Sequence, residues 1–305
     1  MTVAVRTVLG DLPAGELGVC DAHDHLFLRS PRLPGEELAG LAAAEEELRA
    51  YAALGGQAVV QWTPYGMGRC SGALVELARR TGVHLVAATG LHQAGHYARA
   101  EDLPEGDALA ALFTEELTAG IKGSVCGEAP RAGLVKVAGA FHGLDPHARW
   151  TMRAAAEAHH ATGAPVAVHL EQGTAALDVL GLLCGELDVP ASSVLLGHLG
   201  RNPDVRMQRE AADWGAWLAF DGPSRTHHAT DVRLFDSLAA LLEAGHGAQL
   251  LLGGDTTTAS ARGAAGMLHL LRTLRPRLAR EFGEETAEQI LIRNPARAFS
   301  AEWRA

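Results

Sequence analysis

Ala164-Pro165-Val166-Ala167-Val168-His169 is a run of small and β-branched residues that stops at a histidine. Its near-continuous apolar character suits a strand covered on both faces, as in a parallel sheet. Upstream, Asp145-Pro146 has the form of a helix N-cap followed by proline at the first helical position, and opens a helix to about Thr162. A helix followed by a buried strand is one unit, and the unit recurs along the chain. Candidate strands lie at Val19–Asp21, Ala58–Thr63, His84–Thr89, Leu134–Ala138, Val166–His169, Val194–His198, Trp217–Asp221 and Leu250–Asp255. Helical patterns fill the gaps: Glu36–Leu54, Gly72–Thr81, Asp107–Ala119, Thr174–Glu186, Asp204–Trp214, Asp231–Ala244 and Ala264–Phe282, with a last helix near Glu285–Ile292. Eight such units predict an α/β fold, a closed (β/α)8 TIM barrel formed as one domain over residues 1–305. The alternative is an open doubly wound sheet, but no Gly-rich dinucleotide turn follows the first strand.

Bulk composition agrees with a large packed core. Of 305 residues 48% are hydrophobic and 20% charged, which excludes a disordered chain. A net charge of -10 disfavours nucleic acid or an anionic membrane as partner. Cys20, Cys70, Cys126 and Cys184 form no CxxC pair, so free thiols in a reducing compartment are expected. The first ten residues lack a charged segment leading into an apolar run, and no apolar stretch reaches membrane-spanning length. These readings point to a cytoplasmic protein acting on a small molecule.

In a parallel barrel the active site lies at the C-terminal ends of the strands. Metal-ligand residue types gather there. The first strand runs into Asp21-Ala22-His23-Asp24-His25, the fourth carries Lys136, the fifth and sixth end in His169 and His198, and the eighth leads to Asp255. Residues two apart on a strand share a face, so His23 and His25 can reach one ion. Only two of the 26 basic residues are lysines, and Lys136 sits between Val135 and Val137. A buried ammonium is costly. A neutral lysine amine can add CO2 to become a carboxylated, bridging ligand, which an arginine cannot do. The alternatives are a lysine snorkelling to the barrel rim or pairing with a carboxylate. Asp255 can bind a metal and accept a proton, or act as a helix N-cap.

At these residues the chain resembles the phosphotriesterase family of the amidohydrolase superfamily, which includes the phosphotriesterase-like lactonases. The resemblance spans Thr7-Val8-Leu9-Gly10, the Asp21–His25 segment, Ala132–Ala138, Gly163–His169, Gly197-His198-Leu199-Gly200 and Asn294-Pro295-Ala296-Arg297. It implies that His23 and His25, with Asp255, bind the more buried of two divalent ions. It implies that His169 and His198 bind the more exposed one, and that Lys136, carboxylated, bridges both. Zinc is the usual metal, with manganese, cobalt or iron in similar sites. A hydroxide shared by the two cations would attack a carbonyl or phosphoryl centre, with Asp255 taking the proton. Dimers are common among such proteins, so a homodimer is a further expectation.

The chain also departs from that family's patterns. Arg201 stands where organophosphate-hydrolysing members carry an aspartate, and Gly222 where they carry a histidine. Lactone-hydrolysing members place a tyrosine after the Thr-Gly that ends strand three; here the stretch reads Thr89-Gly90-Leu91-His92, with Tyr97 following. Arg201, Arg225 and Arg262 fall on loops over the expected site. They can grip a carboxylate or phosphate bidentately, or pair with local acids. Together with His92 and Tyr97 they form the expected substrate contacts; His96 is a further candidate. The reading is a hydrolase of a lactone or carboxylic ester, such as a sugar-acid or phosphorylated lactone. The alternatives are an organophosphate triesterase, an amide hydrolase and a non-catalytic barrel binding protein. His159 and His160 read as surface residues, and Trp62 and Trp217 as packing.

Overall fold

The computed structural model describes residues 3–97, 103–104, 106, 108–122, 129–223, 229–263 and 266–304. Arg225 and Cys126 lie outside these residues, as does the expected helix start at Asp107. Two short strands, β1 (Val3–Thr7) and β2 (Gly10–Pro13), come first. The barrel strands follow: β3 (Cys20–Asp24), β4 (Ala58–Gln61), β5 (His84–Gly90), β6 (Leu134–Ala138), β7 (Val166–His169), β8 (Val194–Gly197), β9 (Trp217–Asp221) and β10 (Leu250–Gly253). Neighbours pair in sequence order and all are parallel. At the closing seam the Asp255 N–H donates to the His23 carbonyl at 2.8 Å. The main helices between the strands are α1 (Leu41–Ala53), α2 (Ser71–Thr81), α3 (Ala108–Thr118), α4 (Pro146–Thr162), α5 (Ala176–Leu180), α6 (Val205–Asp213) and α7 (Leu234–Glu243). This is the (β/α)8 barrel expected from the sequence.

Strand alternation divides the packing. Outward residues such as Val135, Val137, Val166, Val168 and Phe220 bury against the helices. Inward residues such as Val60, Val86, Leu134, Ala167, Ala219 and Leu251 fill the barrel as a separate apolar cluster. Val5, Leu17 and Phe299 belong to that inner cluster as well. Two residues beyond Leu134, Ala167 and Ala219, the same inward register brings Lys136, His169 and Asp221. The barrel interior thus changes from apolar to polar toward the C-terminal ends of its strands.

Local details depart from expectation for identifiable reasons. α1 begins at Leu41 rather than Glu36, because the Leu38 backbone is engaged by Leu28 in an isolated bridge. α4 starts as expected, with the Asp145 side chain accepting from the Ala148 N–H at 2.7 Å. The helical pattern after α5 widens into a π turn over Gly181–Glu186. β11 (Ser300–Glu302) pairs antiparallel with β1, and β1 with β2, in a three-stranded sheet not expected from the sequence. His159, expected at the surface, is buried: its ring Nδ1 meets the Ala164 carbonyl at 2.7 Å, where α4 turns into β7. Among the described residues no helix is long and apolar enough to cross a membrane.

Candidate metal centre

At the end of β3 the pairing with β4 shifts register between Asp21 and Asp24. Such a bulge re-aims side chains, and here both His23 and His25 meet Asp255. The Nε2 atoms of His23 and His25 lie 3.7 and 3.6 Å from Asp255 Oδ1. Ligands of one ion at metal–nitrogen distances of roughly 2.0–2.1 Å stand about this far apart. The other ring nitrogen of each histidine is already assigned. His23 Nδ1 lies 2.8 Å from Asp221 Oδ2, a carboxylate that can only accept, so that nitrogen carries the proton. His25 Nδ1 lies 2.7 Å from Thr63 Oγ1, whose own hydroxyl donates to the Phe27 carbonyl at 2.6 Å. His25 Nδ1 is therefore a donor too. Both histidines turn Nε2 toward Asp255. Trp62 packs as expected, but against a functional ring: it stacks on His23 with centroids 3.8 Å apart.

The second half lies across the barrel mouth. His198 Nδ1 donates to Asp221 Oδ1, and the Nε2 of His198 faces His169 Nδ1 at 2.7 Å. His169 Nε2 is 3.2 Å from Glu171 Oε2. With their outer nitrogens given to carboxylates, two lone pairs would face each other at 2.7 Å. That is repulsive unless an electrophile, a proton or a metal cation, lies between or beside them. Burial lowers the pKa of His169, with His198 adding to the effect. At His198 burial also disfavours the charge, but Asp221 outweighs it and leaves the pKa above the ordinary value. A proton there belongs to His198.

Asp221 joins the halves. Its carboxylate accepts from the rings of both His23 and His198 and from the His198 backbone N–H at 3.0 Å. Burial alone would raise its pKa, but the two histidines hold it well below the usual carboxylate range. His23, His198 and Asp221 are close enough to suggest an ion site of their own, as are His23, His25 and Asp255. Asp221 is already committed as acceptor to three donors, so its role is to orient imidazoles. Two of the ring-bearing or carboxylate positions are backbone-strained. His198 has φ +64° and Asp255 φ +49°, a left-handed conformation that costs a non-glycine residue on the order of 1 kcal/mol or more.

Lys136 projects from β6 into this polar layer and is buried. Burial lowers its pKa to about 7, opposed by the nearby Asp255 charge. A substantial fraction of the amine is therefore neutral at neutral pH, the form that adds CO2. Donors of this kind, histidine nitrogens with assigned tautomers beside a buried carboxylate and a neutral amine, fit a pair of divalent cations.

A cavity of about 250 Å³ opens over the centre, walled in part by His92, His96, Arg32, Arg201 and Glu171. His92 is fastened at three points. Its Nδ1 accepts from the Gln93 N–H at 2.7 Å, its N–H donates to Tyr97 Oη at 2.8 Å, and its carbonyl meets His147 Nε2 at 2.8 Å. The proton is thus on Nε2. Tyr97 does not line the cavity; its hydroxyl supports His92 and bonds the Tyr65 carbonyl at 3.1 Å. Arg201 lines the cavity but also pairs with Asp231 at 3.2 Å, not with Asp204 or Asp221. Arg262, expected among the substrate contacts, does not line the cavity: its guanidinium is held by Glu47 at 2.9 Å and by the Leu26 carbonyl. Sequence reading missed Asp221, Thr63 and Glu171 as orienting residues. The one signal for Asp221 was a polar residue closing an otherwise apolar run.

Fold and site together define a parallel barrel with a buried histidine–carboxylate centre at its C-terminal mouth. The chain belongs to the phosphotriesterase family, whose model it matches over residues 3–299. It is 30% identical over 249 residues to a phospho-furanose lactonase of Mycoplasmopsis agalactiae, covering 76% of this chain and 70% of that protein. A lactonase structure from Listeria monocytogenes superposes with a TM-score of 0.91 at 25% identity, covering 98% and 99% of the two chains. A variant of an organophosphorus hydrolase from Deinococcus radiodurans superposes at 0.84 with 28% identity, over 98% and 97%.

Proposed function

We propose that this protein is a two-metal hydrolase that opens a lactone, or cleaves a related carboxylic ester, carrying an anionic group such as a sugar acid or a phosphate. His23, His25 and Asp255 would hold one cation, His169 and His198 the other, and Lys136 as its carbamate would bridge them. Zinc suits these donors best, with manganese, cobalt or iron as substitutes. The cations, when bound, supply a water of lowered pKa and polarise the substrate carbonyl. The protein's own groups do the rest. Lys136 gains its carbamate when the neutral amine attacks CO2 and releases one proton. Asp255 accepts the proton lost as water adds to the carbonyl, and returns it to the departing alkoxide oxygen. The His92 Nε2–H donates to an oxygen of the substrate, and Arg201 and Arg32 attract its anionic group. Arg225, beyond the described residues, is a further candidate for that contact.

The observation that carries this reading is tautomeric: four histidines each give one ring nitrogen to an outer partner and turn the other inward. The likeness to lactonases supports the choice of a cyclic ester, and the net charge of -10 disfavours nucleic acid or an anionic membrane as partner. The test is a lactone panel, with and without phosphate substituents, assayed on protein reconstituted with zinc, manganese or cobalt, beside a neutral phosphotriester. Two equivalents of metal per chain and a preference for anionic lactones are expected. Protein that takes up no metal would end the reading. Turnover of neutral lactones alone would remove the anionic group from it.

A further inference from the structure

Behind the metal centre lies a second pair of acids. Asp21 and Asp24 are both fully buried, and their carboxyls lie close enough to act on each other. One oxygen of each is fully used. Asp21 Oδ1 accepts from the N–H groups of His23 at 3.1 Å and Gly254 at 3.0 Å. Asp24 Oδ1 accepts from those of His25 at 2.7 Å and Thr256 at 2.8 Å. Each carboxyl thus spans the seam, tied on one side to a histidine of the β3 segment and on the other to a residue flanking Asp255. Between them the Asp255 N–H donates to the His23 carbonyl at 2.8 Å. Three successive N–H groups, those of residues 254, 255 and 256, are captured by the β3 segment.

The remaining oxygens, Asp21 Oδ2 and Asp24 Oδ2, are buried without a hydrogen-bond partner among the described residues, as is Thr256 Oγ1. Their surroundings leave little room for movement. A Cβ on Gly254 would lie 2.3 Å from Asp24 Oδ2, and one on Gly266 1.8 Å from Thr256 Oγ1. The left-handed backbone of Asp255 sits at the centre of this arrangement. Such a conformation persists only where its surroundings over-determine it.

We infer that Asp21 and Asp24 are positioning residues: a two-carboxyl clamp that fixes the backbone of His23, His25 and Asp255 and so sets the geometry of one metal site. This rests on the metal-centre reading proposed above. Neither acid lines the cavity. The clamp works through one acceptor oxygen of each carboxyl, which takes a backbone N–H from either side of the seam.

The test compares Asp24→Leu with Asp24→Asn, using cobalt(II) as the probe. Stoichiometry, affinity against a chelator and the visible spectrum of the bound ion are recorded, with thermal melts of the metal-free proteins. Asparagine keeps the Oδ1 acceptor that holds the His25 and Thr256 N–H groups, so its affinity and spectrum should stay within about threefold of wild type. Leucine removes both acceptors, and cobalt affinity should fall about 10–100-fold with an altered spectrum, the scale seen when groups that orient ligands are lost. Wild-type cobalt behaviour in a folded Asp24→Leu protein would overturn the clamp. If the leucine variant does not melt cooperatively, Asp24→Asn decides: a tenfold loss there in a folded protein would overturn it, and a wild-type spectrum would uphold it. Failure of the wild-type chain to bind cobalt at all is a separate result, and defeats the metal centre itself.

Discussion

The two halves of the centre are held in different ways. On the β3 and β10 side, His23 and His25 are buried, their outer nitrogens rest on the equally buried Asp221 and Thr63, and their backbones are hydrogen-bonded to side chains. On the β7 side, His169 is 20% exposed and leans on Glu171, which is 32% exposed and follows it by two residues. Glu171 and His169 both line the cavity. One half is therefore pre-organised by the interior; in the other, His198 rests on the buried Asp221, but His169 is arranged by a side chain that also lines the cavity. In a low-dielectric interior a hydrogen bond holds its geometry more firmly than at a wet surface. The difference assigns structural rigidity to the first half and adaptability to the second.

The largest effect should come from Lys136, the residue proposed to bridge the halves. Lys136→Ala should lower kcat/KM roughly a thousandfold or more, the scale of deleting a central catalytic group, and release metal measurable by elemental analysis. Full activity with full metal content would show that no bridge is needed. Asp221→Asn comes next, because its carboxylate orients one histidine in each half. A loss of about 10–100-fold in metal affinity is expected. Gly254→Ala presses a methyl group against Asp24 Oδ2 and the Met267 N–H, 2.3 and 2.4 Å away. It should destabilise the chain by about 1–3 kcal/mol, the usual cost of overpacking, read by denaturant melts. Glu171→Gln should cost least, a few-fold in affinity, since a glutamine oxygen can still accept from His169. If Glu171→Gln proved as damaging as Asp221→Asn, the contrast between the halves would collapse.

A pH experiment sharpens the same contrast at its shared member. Burial puts the Lys136 pKa at about 7, below its ordinary value. The neutral amine dominates above that pH and the ammonium below it. In the absence of metal, carbamate formation followed by 13C NMR with labelled CO2 should therefore rise as pH increases through about 7. A rise confined to the region above pH 10 would mean the amine is not desolvated.

Much of this was legible in the chain, and the exceptions have physical causes. Parallel strands buried on both faces leave dense apolar runs, so β6 and β7 were found with their bounds intact. His23, His25, Lys136, His169, His198 and Asp255 stood out because polar residues are rare beside such runs, and the structure brings them to one mouth of the barrel. Asp221 was read as the end of a strand and not as an orienting residue, since nothing in its neighbourhood shows that two histidines, 198 and 23 residues away, converge on it. Arg262 illustrates the reverse. A loop position suggested substrate, but the buried Glu47 on α1 claims its charge. His159 was misplaced because a histidine on an Ala-rich helix carries no sign of which face it occupies. The pairing of β1 with β11 joins residues almost three hundred positions apart, and three-residue strands leave too little pattern to announce it.

That pairing has a practical consequence. Val3 lies opposite Glu302, with Ala4 opposite Ala301, so the two extremities of the described chain are a strand's width apart, about 5 Å. A short peptide could join them and the ring could be reopened elsewhere, in an exposed connection such as that between α6 and β9. Such a circular permutant would keep every barrel strand whole, and would allow a fusion partner to be attached at a new point on the molecule.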